Sequence, residues 1–151
     1  MLATPMLALK DEQIKKMDKI ELKDAGLKVT KPRIRLLNIL ETSDQKHFSA
    51  EELFHILSKE GASIGLATIY RVMAQFETAG LVIRHNFEGG QAVFELNSGE
   101  HHDHIVDMQS GKIIEFHDEI IEKRQIEIAK EHGYKLVDHC LIMYCEIDDK
   151  K

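Results

Sequence analysis

The 151-residue chain has 43% hydrophobic and 30% charged residues and a formal net charge of −6. No apolar run approaches the roughly 20 residues of a membrane span. The mildly apolar start lacks a basic segment, so we expect a cytoplasmic protein without membrane contact. Two cysteines, Cys140 and Cys145, are too few for a disulfide scaffold or a four-thiolate metal site, and we expect both thiols to be buried.

The net acidic charge lies entirely in the second part of the chain. Residues 1–96 carry 13 basic and 13 acidic residues, a balance of zero, whereas residues 97–151 carry 7 and 13, a balance of −6. Between Lys23 and Arg35, five basic residues stand against the single acid Asp24. Because local charge decides whether phosphate is attracted, the first part suits nucleic acid and the second suits divalent cations.

Four amphipathic helices are predicted in the first part, beginning with residues 11–25, which Gly26 ends. Thr30 or Lys31 lies near the N-cap of the second helix, with Pro32 in its first turn. Ser49 is the predicted N-cap of the third, with Glu52 as its capping-box partner. The apolar positions are Ile14, Met17, Ile20 and Leu22, then Ile34, Leu36, Leu37 and Leu40, then Leu53, Phe54 and Leu57, then Leu66, Ile69, Met73 and Phe76.

From Leu81 the hydrophobic period changes to that of strands. Leu81–Phe87 and Gln91–Leu96 flank Glu88-Gly89-Gly90, which predicts two strands joined by a glycine turn. Helices followed by a β-hairpin are typical of a winged helix-turn-helix. We therefore predict a winged-helix DNA-binding domain over residues 1–96 and a hinge at 97–99.

Residues 100–151 are predicted to form a small metal-binding dimerisation domain. Ile105–Met108 and Lys112–Phe116 read as a hairpin, Asp118–His132 as a helix with Asp118 in its first turn, and Tyr134–Ile147 as β-rich. A β-β-α-β module of this size has too little core to be very stable alone, so we expect it to pack against a second copy. The fold class is α+β, with an N-terminal winged helix and a small C-terminal α/β domain.

Metal-competent side chains stand in an unbroken row from Glu100 to His104. In an extended chain, neighbouring side chains point to opposite sides, so His102 and His104 face one way and His101 and Asp103 the other. One short strand can thus serve two metal sites. Imidazole and carboxylate ligands suit Fe(II), Mn(II), Zn(II) or Ni(II). The alternative is a solvated polar loop or an imidazole cluster that titrates near neutral pH.

Two remote residues are candidates to complete one of these sites. His47 lies in the polar loop before Ser49, and Glu95 lies near the end of the second hairpin strand. Ligands from both domains would couple metal occupancy to the angle between them.

The fourth helix begins with Thr68 and Arg71 on its polar side and Tyr70 at the boundary, where a recognition helix meets the major groove. The alternative is an exposed helix face with a half-buried tyrosine. Arg71 can bind a phosphate or a guanine, and Tyr70 a thymine methyl or a phosphate. Lys28, Lys31 and Arg33 surround a helix N-terminus and are placed to hold backbone phosphates.

The chain closely resembles the ferric uptake regulators, metal-dependent bacterial repressors, from about Leu22 through His139. The matching segments, which occur in the family's order, are Ala25–Thr30, Ser49–Glu51, Gly65–Arg71, Arg84–Gly90, His101–His104 and Gly111–Phe116.

The resemblance implies two metal sites and a DNA-binding surface. The implied regulatory site contains His47, Glu95, His102, His104 and Glu115. The implied second site contains His101, Asp103, Glu122 and His139. Tyr70 and Arg71 would lie on the recognition helix, with Lys28 and Arg33 on the DNA-facing surface. His85, His117 and His132 are interpreted as surface or structural residues.

One motif of the family is missing. Many members bind a structural zinc through a Cys-x-x-Cys in the hairpin, where this chain has Asp107 and Ser110. Cys145 is out of register with the family's C-terminal cysteines. We therefore expect no thiolate zinc site, and the second His/carboxylate site would take the structural role, with Zn(II) as its candidate ion.

The resulting hypothesis is an Fe(II)-dependent repressor of iron-acquisition genes that binds palindromic DNA operators as a metal-loaded homodimer or tetramer. Peroxide-sensing relatives usually carry Asp at the positions of Glu95 and Glu115, so two glutamates favour iron sensing. The alternatives are a zinc, manganese or peroxide sensor of the same family, a metal-dependent hydrolase, or a purely structural metal-binding dimer. Because we find no candidate general base beyond the ligands themselves, and a hydrolase would leave the helical half unexplained, we expect no enzyme and no small-molecule substrate.

Overall fold

The structure, a computed structural model, describes residues 19–149. These residues form two compact units that divide between Ser98 and Gly99. The first helix, α1, occupies residues 19–24 of the described part. Ile14 and Met17, which we predicted to belong to its apolar side, lie outside the described residues, whereas Leu22 is fully buried.

Three further helices build the N-terminal unit: α2 (Lys31–Thr42), α3 (Ala50–Lys59) and α4 (Leu66–Thr78). Helix α2 begins after Thr30, with the predicted proline in its first turn. Helix α3 has the predicted capping box: the Glu52 N–H donates to Ser49 Oγ at 3.1 Å, and the Ser49 N–H donates to Glu52 Oε2 at 2.8 Å. Two of the helix's orphan N-terminal donors are thereby satisfied.

The helices pack around one hydrophobic core. Within residues 19–149, fifteen buried side chains form it, drawn from helices α1 to α4 and from the sheet that follows. The predicted positions Ile69, Met73 and Phe76 of α4 are buried, and Val72 joins them. The recognition-helix candidate is therefore fixed rigidly to the rest of the N-terminal unit.

The sheet of the N-terminal unit has one strand more than we predicted. Strands β2 (Val82–His85) and β3 (Val93–Leu96) form the expected antiparallel hairpin, with Gly89 of its turn at φ 74°. A third strand, β1 (Phe48–Ser49), pairs with the other edge of β3 and gives the order β1-β3-β2. It has two residues, so it leaves no periodic signal in the sequence.

The C-terminal unit contains the predicted β-β-α-β order: β4 (Asp103–Asp107), β5 (Ile113–Phe116), α5 (Glu119–Glu131) and β6 (Ile142–Cys145). Strand β4 is central, antiparallel to β5 and parallel to β6.

Two boundaries of the C-terminal unit differ from the prediction. Asp118 is the N-cap of α5 and not part of its first turn, because its carboxylate accepts the N–H groups of Ile120 and Ile121. Only Ile142–Cys145 of the predicted β-rich segment pairs with β4, whereas residues 135–141 are irregular.

The C-terminal unit has little core of its own. Of residues 99–149, Val106 is the only buried apolar side chain, while Ile114 and Met143 remain 45% and 38% exposed. Ile105 pairs with both of them, so the three lie in one row across the sheet. Within residues 19–149, no helix combines the length and apolarity that a membrane crossing needs.

Candidate metal centres

A cluster of four ligand side chains lies within the C-terminal unit: His101, Asp103, Glu122 and His139, here called the four-ligand cluster. Asp103 begins β4, and His101, two residues earlier, points to the same side of the extended chain. Helix α5 contributes Glu122, and the irregular segment before β6 contributes His139. Residues far apart in the sequence are thus brought together at one end of the sheet.

The spacing within the four-ligand cluster is compatible with four ligands of one metal ion. His101 Nε2 lies 2.9 Å from His139 Nε2 and 3.2 Å from Asp103 Oδ1. His139 Nε2 lies 3.5 Å from Asp103 Oδ1 and 3.3 Å from Glu122 Oε1, and His101 Nε2 lies 3.6 Å from Glu122 Oε1. Ligands about 2.1 Å from a central zinc ion, in tetrahedral geometry, are about 3.4 Å apart. All five distances scatter around this value.

The burial of Asp103 supports a cation in the four-ligand cluster. This residue is 1% exposed, and its Oδ2 has no hydrogen-bond partner among the described residues. A buried carboxylate that lacks a compensating charge is costly. Two neutral imidazoles and two carboxylates around one point fit a divalent ion of the first transition row.

Two further metal-competent residues lie together in the N-terminal unit: His47 and Glu95, here called the N-terminal pair. His47 directly precedes Phe48, which pairs with Phe94, so the antiparallel register places His47 opposite Glu95. His47 Nε2 lies 3.0 Å from Glu95 Oε2, and both side chains are almost entirely buried. Strand β1, which we did not predict, creates this juxtaposition.

The remaining predicted ligands, His102, His104 and Glu115, lie together in the C-terminal unit and are here called the C-terminal trio. His104 and Glu115 are directly paired across β4 and β5. His102 Nε2 lies 3.4 Å from Glu115 Oε1, and the ring centroids of His102 and His104 are 4.9 Å apart. The His row therefore divides as expected, with alternate residues belonging to different clusters.

Thr68, Tyr70 and Arg71 lie in the first two turns of α4, with Tyr70 and Arg71 exposed. The Tyr70 hydroxyl donates to Glu51 Oε1 at 2.5 Å. This hydrogen bond raises the pKa of Tyr70 above its ordinary value, with burial a smaller cause in the same direction. The hydroxyl is thus held as a hydrogen-bond donor to Glu51, which fixes the direction of the ring.

Arg33 makes contacts that its predicted phosphate-binding role does not use. Its guanidinium donates to the Lys28 carbonyl at 2.8 Å and to Gln75 Oε1 of α4 at 2.7 Å. Arg33 thus joins the loop before α2 to the recognition-helix candidate. Guanidinium has five N–H donors, so these two bonds leave others for a phosphate. Lys28 is exposed.

Sequence reasoning missed His85 and misjudged Cys140. His85, interpreted as a surface or structural residue, contacts Glu95 at 2.6 Å between Nε2 and Oε1. The prediction that both thiols are buried is wrong, because Cys140 lies in the irregular segment before β6 and is exposed.

The sequence profile of the ferric uptake regulator family matches residues 24–144. The ferric uptake regulation protein of Pseudomonas putida is 57% identical over 124 residues, which cover 82% of this chain and 92% of that protein. The crystal structure of the Vibrio cholerae ferric uptake regulator superposes with a TM-score of 0.81 at 50% identity, covering 85% of this chain and 98% of that one. The structure of the Pseudomonas aeruginosa regulator with manganese gives 0.75 at 51% identity, covering 89% and 98%.

These similarities confirm the resemblance found in the sequence and the predicted fold class, a winged-helix DNA-binding domain followed by a dimerisation-type domain. They also remove the hydrolase alternative, because members of the family are transcription regulators. The chain belongs to the ferric uptake regulator family and is a metal-responsive transcription regulator, not an enzyme.

Proposed function

We propose that this protein is an Fe(II)-dependent repressor of iron-acquisition genes, acting in the cytoplasm on palindromic operators. Its regulatory site would combine the N-terminal pair with the C-terminal trio, and its four-ligand cluster would hold a second ion. The observation that carries the proposal is the division of ligands between the two units. Two donors lie 3.0 Å apart in one unit, and the C-terminal trio lies in the other.

The donor set suits iron among several first-row ions, and the similarity to ferric uptake regulators favours iron. Three imidazoles and two carboxylates suit Fe(II), Mn(II) and Zn(II), and cellular availability decides among them. The relative at 57% identity is named for ferric uptake regulation. Glutamate at positions 95 and 115, where peroxide-sensing relatives usually carry aspartate, also favours iron.

A bound divalent cation supplies positive charge that offsets the carboxylates of Glu95 and Glu115. Glu95 lies in β3 and His47 directly precedes β1, and both strands belong to the sheet whose side chains enter the core shared with α4. Any displacement of the N-terminal pair would therefore carry the recognition helix with it as one body. Ligands from the C-terminal trio would fix the position of that body and with it the spacing of two DNA-reading helices.

A homodimer supplies the two reading helices that a palindrome requires. The apolar row of Ile114, Ile105 and Met143 supports this assembly, since Val106 is the only apolar side chain buried among the described residues of the C-terminal unit. A second copy packed on the sheet would remove this apolar surface from water.

The four-ligand cluster is proposed to hold Zn(II) in a structural role. Its ligand separations suit a tetrahedral ion, and the hairpin lacks the family's thiolates. The charge of the ion would compensate the buried carboxylate of Asp103.

DNA binding by the purified protein tests the regulatory proposal. A duplex is first selected from a random pool by the Mn(II)-loaded protein, and its binding is then titrated by fluorescence anisotropy without oxygen, with Fe(II) or with chelator. We expect tight binding with Fe(II) and a large loss after chelation. Glu95→Ala and His104→Ala should abolish the metal dependence, whereas the matched control His55→Ala, on the exposed side of α3, should retain it.

Equal DNA affinity of the wild type with Fe(II) and after rigorous chelation contradicts the proposed metal switch.

Arg71→Ala should weaken DNA binding and reduce its salt dependence, because a phosphate or base contact is lost. Arg124→Ala provides the control for Arg71→Ala, since Arg124 is an exposed arginine of α5 in the other unit.

A manganese regulator is the second candidate, because the similar Pseudomonas aeruginosa structure contains manganese. Metal analysis of protein purified without oxygen from iron-replete cells separates the two. The regulatory metal is the one that the wild type contains and Glu95→Ala lacks. If this metal is iron, the iron regulator is supported; if it is manganese, the manganese regulator is supported.

A further inference from the structure

His85 and Glu95 contact each other diagonally across the hairpin. The register pairs His85 of β2 with Val93 of β3, and Glu95 is two residues further along the same face. Diagonal neighbours on one face are within reach of long side chains. His85 Nε2 accordingly lies 2.6 Å from Glu95 Oε1, with His85 12% and Glu95 4% exposed.

The two oxygens of Glu95 have different partners. Oε1 contacts His85, whereas Oε2 lies 3.0 Å from His47 Nε2. Adjacent ligands at right angles, each about 2.1 Å from an ion, are about 3.0 Å apart. The Oε2 atom and His47 Nε2 therefore have the separation of neighbouring ligands, and Oε1 is held away from that role.

The His85 ring has a fixed orientation. It stacks on Phe87 with ring centroids 5.2 Å apart and planes 4° from parallel, and its centroid lies 6.1 Å from that of His47. A carboxylate that binds a metal is ionised and only accepts hydrogen bonds, so with Glu95 as a ligand His85 Nε2–H would be the donor to Oε1. Carboxylates that bind metal ions are themselves held by hydrogen bonds in other proteins, and the His85 contact would supply such a bond to Glu95.

We propose that His85 is a positioning residue for the regulatory metal site. It holds Oε1 of Glu95 so that this carboxylate presents Oε2 alone, as a one-oxygen ligand beside His47. The inference rests on the proposed regulatory site, but it concerns a residue outside that site's five ligands.

Metal titrations of four proteins test the role of His85: the wild type, His85→Ala, His85→Gln and Glu95→Ala. Free Mn(II) is followed by electron paramagnetic resonance, and Co(II) absorption spectra report the ligand geometry. The class of Mn(II) site that is present in the wild type and lost in Glu95→Ala is assigned to the regulatory site. His55→Ala serves as the control for loss of a histidine, since His55 is exposed on α3.

We expect His85→Ala to keep the number of Mn(II) sites and to weaken the regulatory class about 10- to 100-fold, as for other supporting residues of metal sites. The Co(II) bands of that class should shift, because the carboxylate becomes free to bind through both oxygens. His85→Gln retains an N–H donor and should lie between His85→Ala and the wild type. The four-ligand cluster, in the other unit, should keep its affinity in all four proteins.

Wild-type affinity and an unchanged Co(II) spectrum in His85→Ala, with Glu95→Ala still losing a site, would overturn the positioning role and leave the regulatory site standing. Complete loss of the site in His85→Ala, with its thermal unfolding unchanged, would overturn it in favour of direct ligation. Full metal binding by Glu95→Ala would overturn the regulatory site and this inference together.

Discussion

Neutralising Asp103 should separate the metal-dependent stability of the C-terminal unit from its packing. Asp103→Asn keeps the shape of a side chain that is 1% exposed but removes the negative charge between His101 and His139. Without metal, the variant should unfold at the same temperature as the wild type or higher, because it no longer buries a carboxylate without a cation. With Zn(II), the wild type should gain much more than the variant.

The expected difference follows from binding linkage. At a free Zn(II) concentration of 100 times Kd, binding stabilises the folded protein by about 2.7 kcal/mol. Supporting residues alone change metal affinity about 10- to 100-fold, so losing a charged ligand should cost at least the upper value. A hundredfold loss leaves about 0.4 kcal/mol, a difference of about 2.3 kcal/mol. For a chain of this size, that corresponds to roughly 5–9 °C in Tm.

Differential scanning calorimetry in chelator and in buffered Zn(II) measures both effects. Both proteins should also carry Glu95→Ala, so that the proposed regulatory site adds nothing to the zinc-induced shift. If Zn(II) raises Tm equally with and without the Asp103→Asn substitution, the charge of this residue does not hold the ion, and the assignment of the four-ligand cluster is wrong.

Three further changes test local features of the structure. Ser49→Ala removes one half of the capping box of α3 and should lower the free energy of unfolding by about 1 kcal/mol in urea titrations; no change would show that the cap contributes nothing. The pKa of Asp107 is below its ordinary value, chiefly through the Ser110 hydroxyl and then the Gln109 N–H. Its contribution is therefore present above the ordinary pKa and lost as pH falls through the lowered one, so stability curves of the wild type and Asp107→Ala should differ near neutral pH and converge in acid. Parallel curves over the whole range would contradict this linkage. Ile114→Glu places a charge in the exposed apolar row and should convert the proposed dimer to monomer in analytical ultracentrifugation; an unchanged mass would locate the interface elsewhere.

Local signals account for most of what the sequence predicted correctly. The capping box at Ser49 and Glu52 depends on residues three positions apart. The alternation of the His row is likewise a property of two-residue periodicity, and it appears in the pairs His101 with Asp103 and His102 with His104. Such features need no knowledge of distant parts of the chain.

Three of the missed features depend on pairing between strands. Strand β1 exists because two residues meet the open edge of β3, and this pairing is what brings His47 to Glu95. β propensity also overestimated the length of the last strand, because only β6 of the predicted β-rich segment pairs with β4. His85 was detectable in principle, because pairing it with Val93 across the turn puts Glu95 on the same face. The hydrophobic pattern of two short strands, however, leaves the register between them open.

Strand β4 joins the four-ligand cluster, with its proposed structural role, to the C-terminal trio, with its proposed regulatory role. At its end, Asp107 accepts hydrogen bonds from the Ser110 hydroxyl at 2.5 Å and the Gln109 N–H at 2.9 Å, which closes the turn where many relatives have thiolates. At its start, Asp103 belongs to the four-ligand cluster, and the next residue, His104, belongs to the C-terminal trio. Because β4 is also the central strand, it is paired on both edges as well as closed by the turn at its end. An ion in the four-ligand cluster would therefore fix the backbone that presents His104. The C-terminal trio would then be a rigid half of the proposed regulatory site, and the regulatory ion would not be needed to stabilise it.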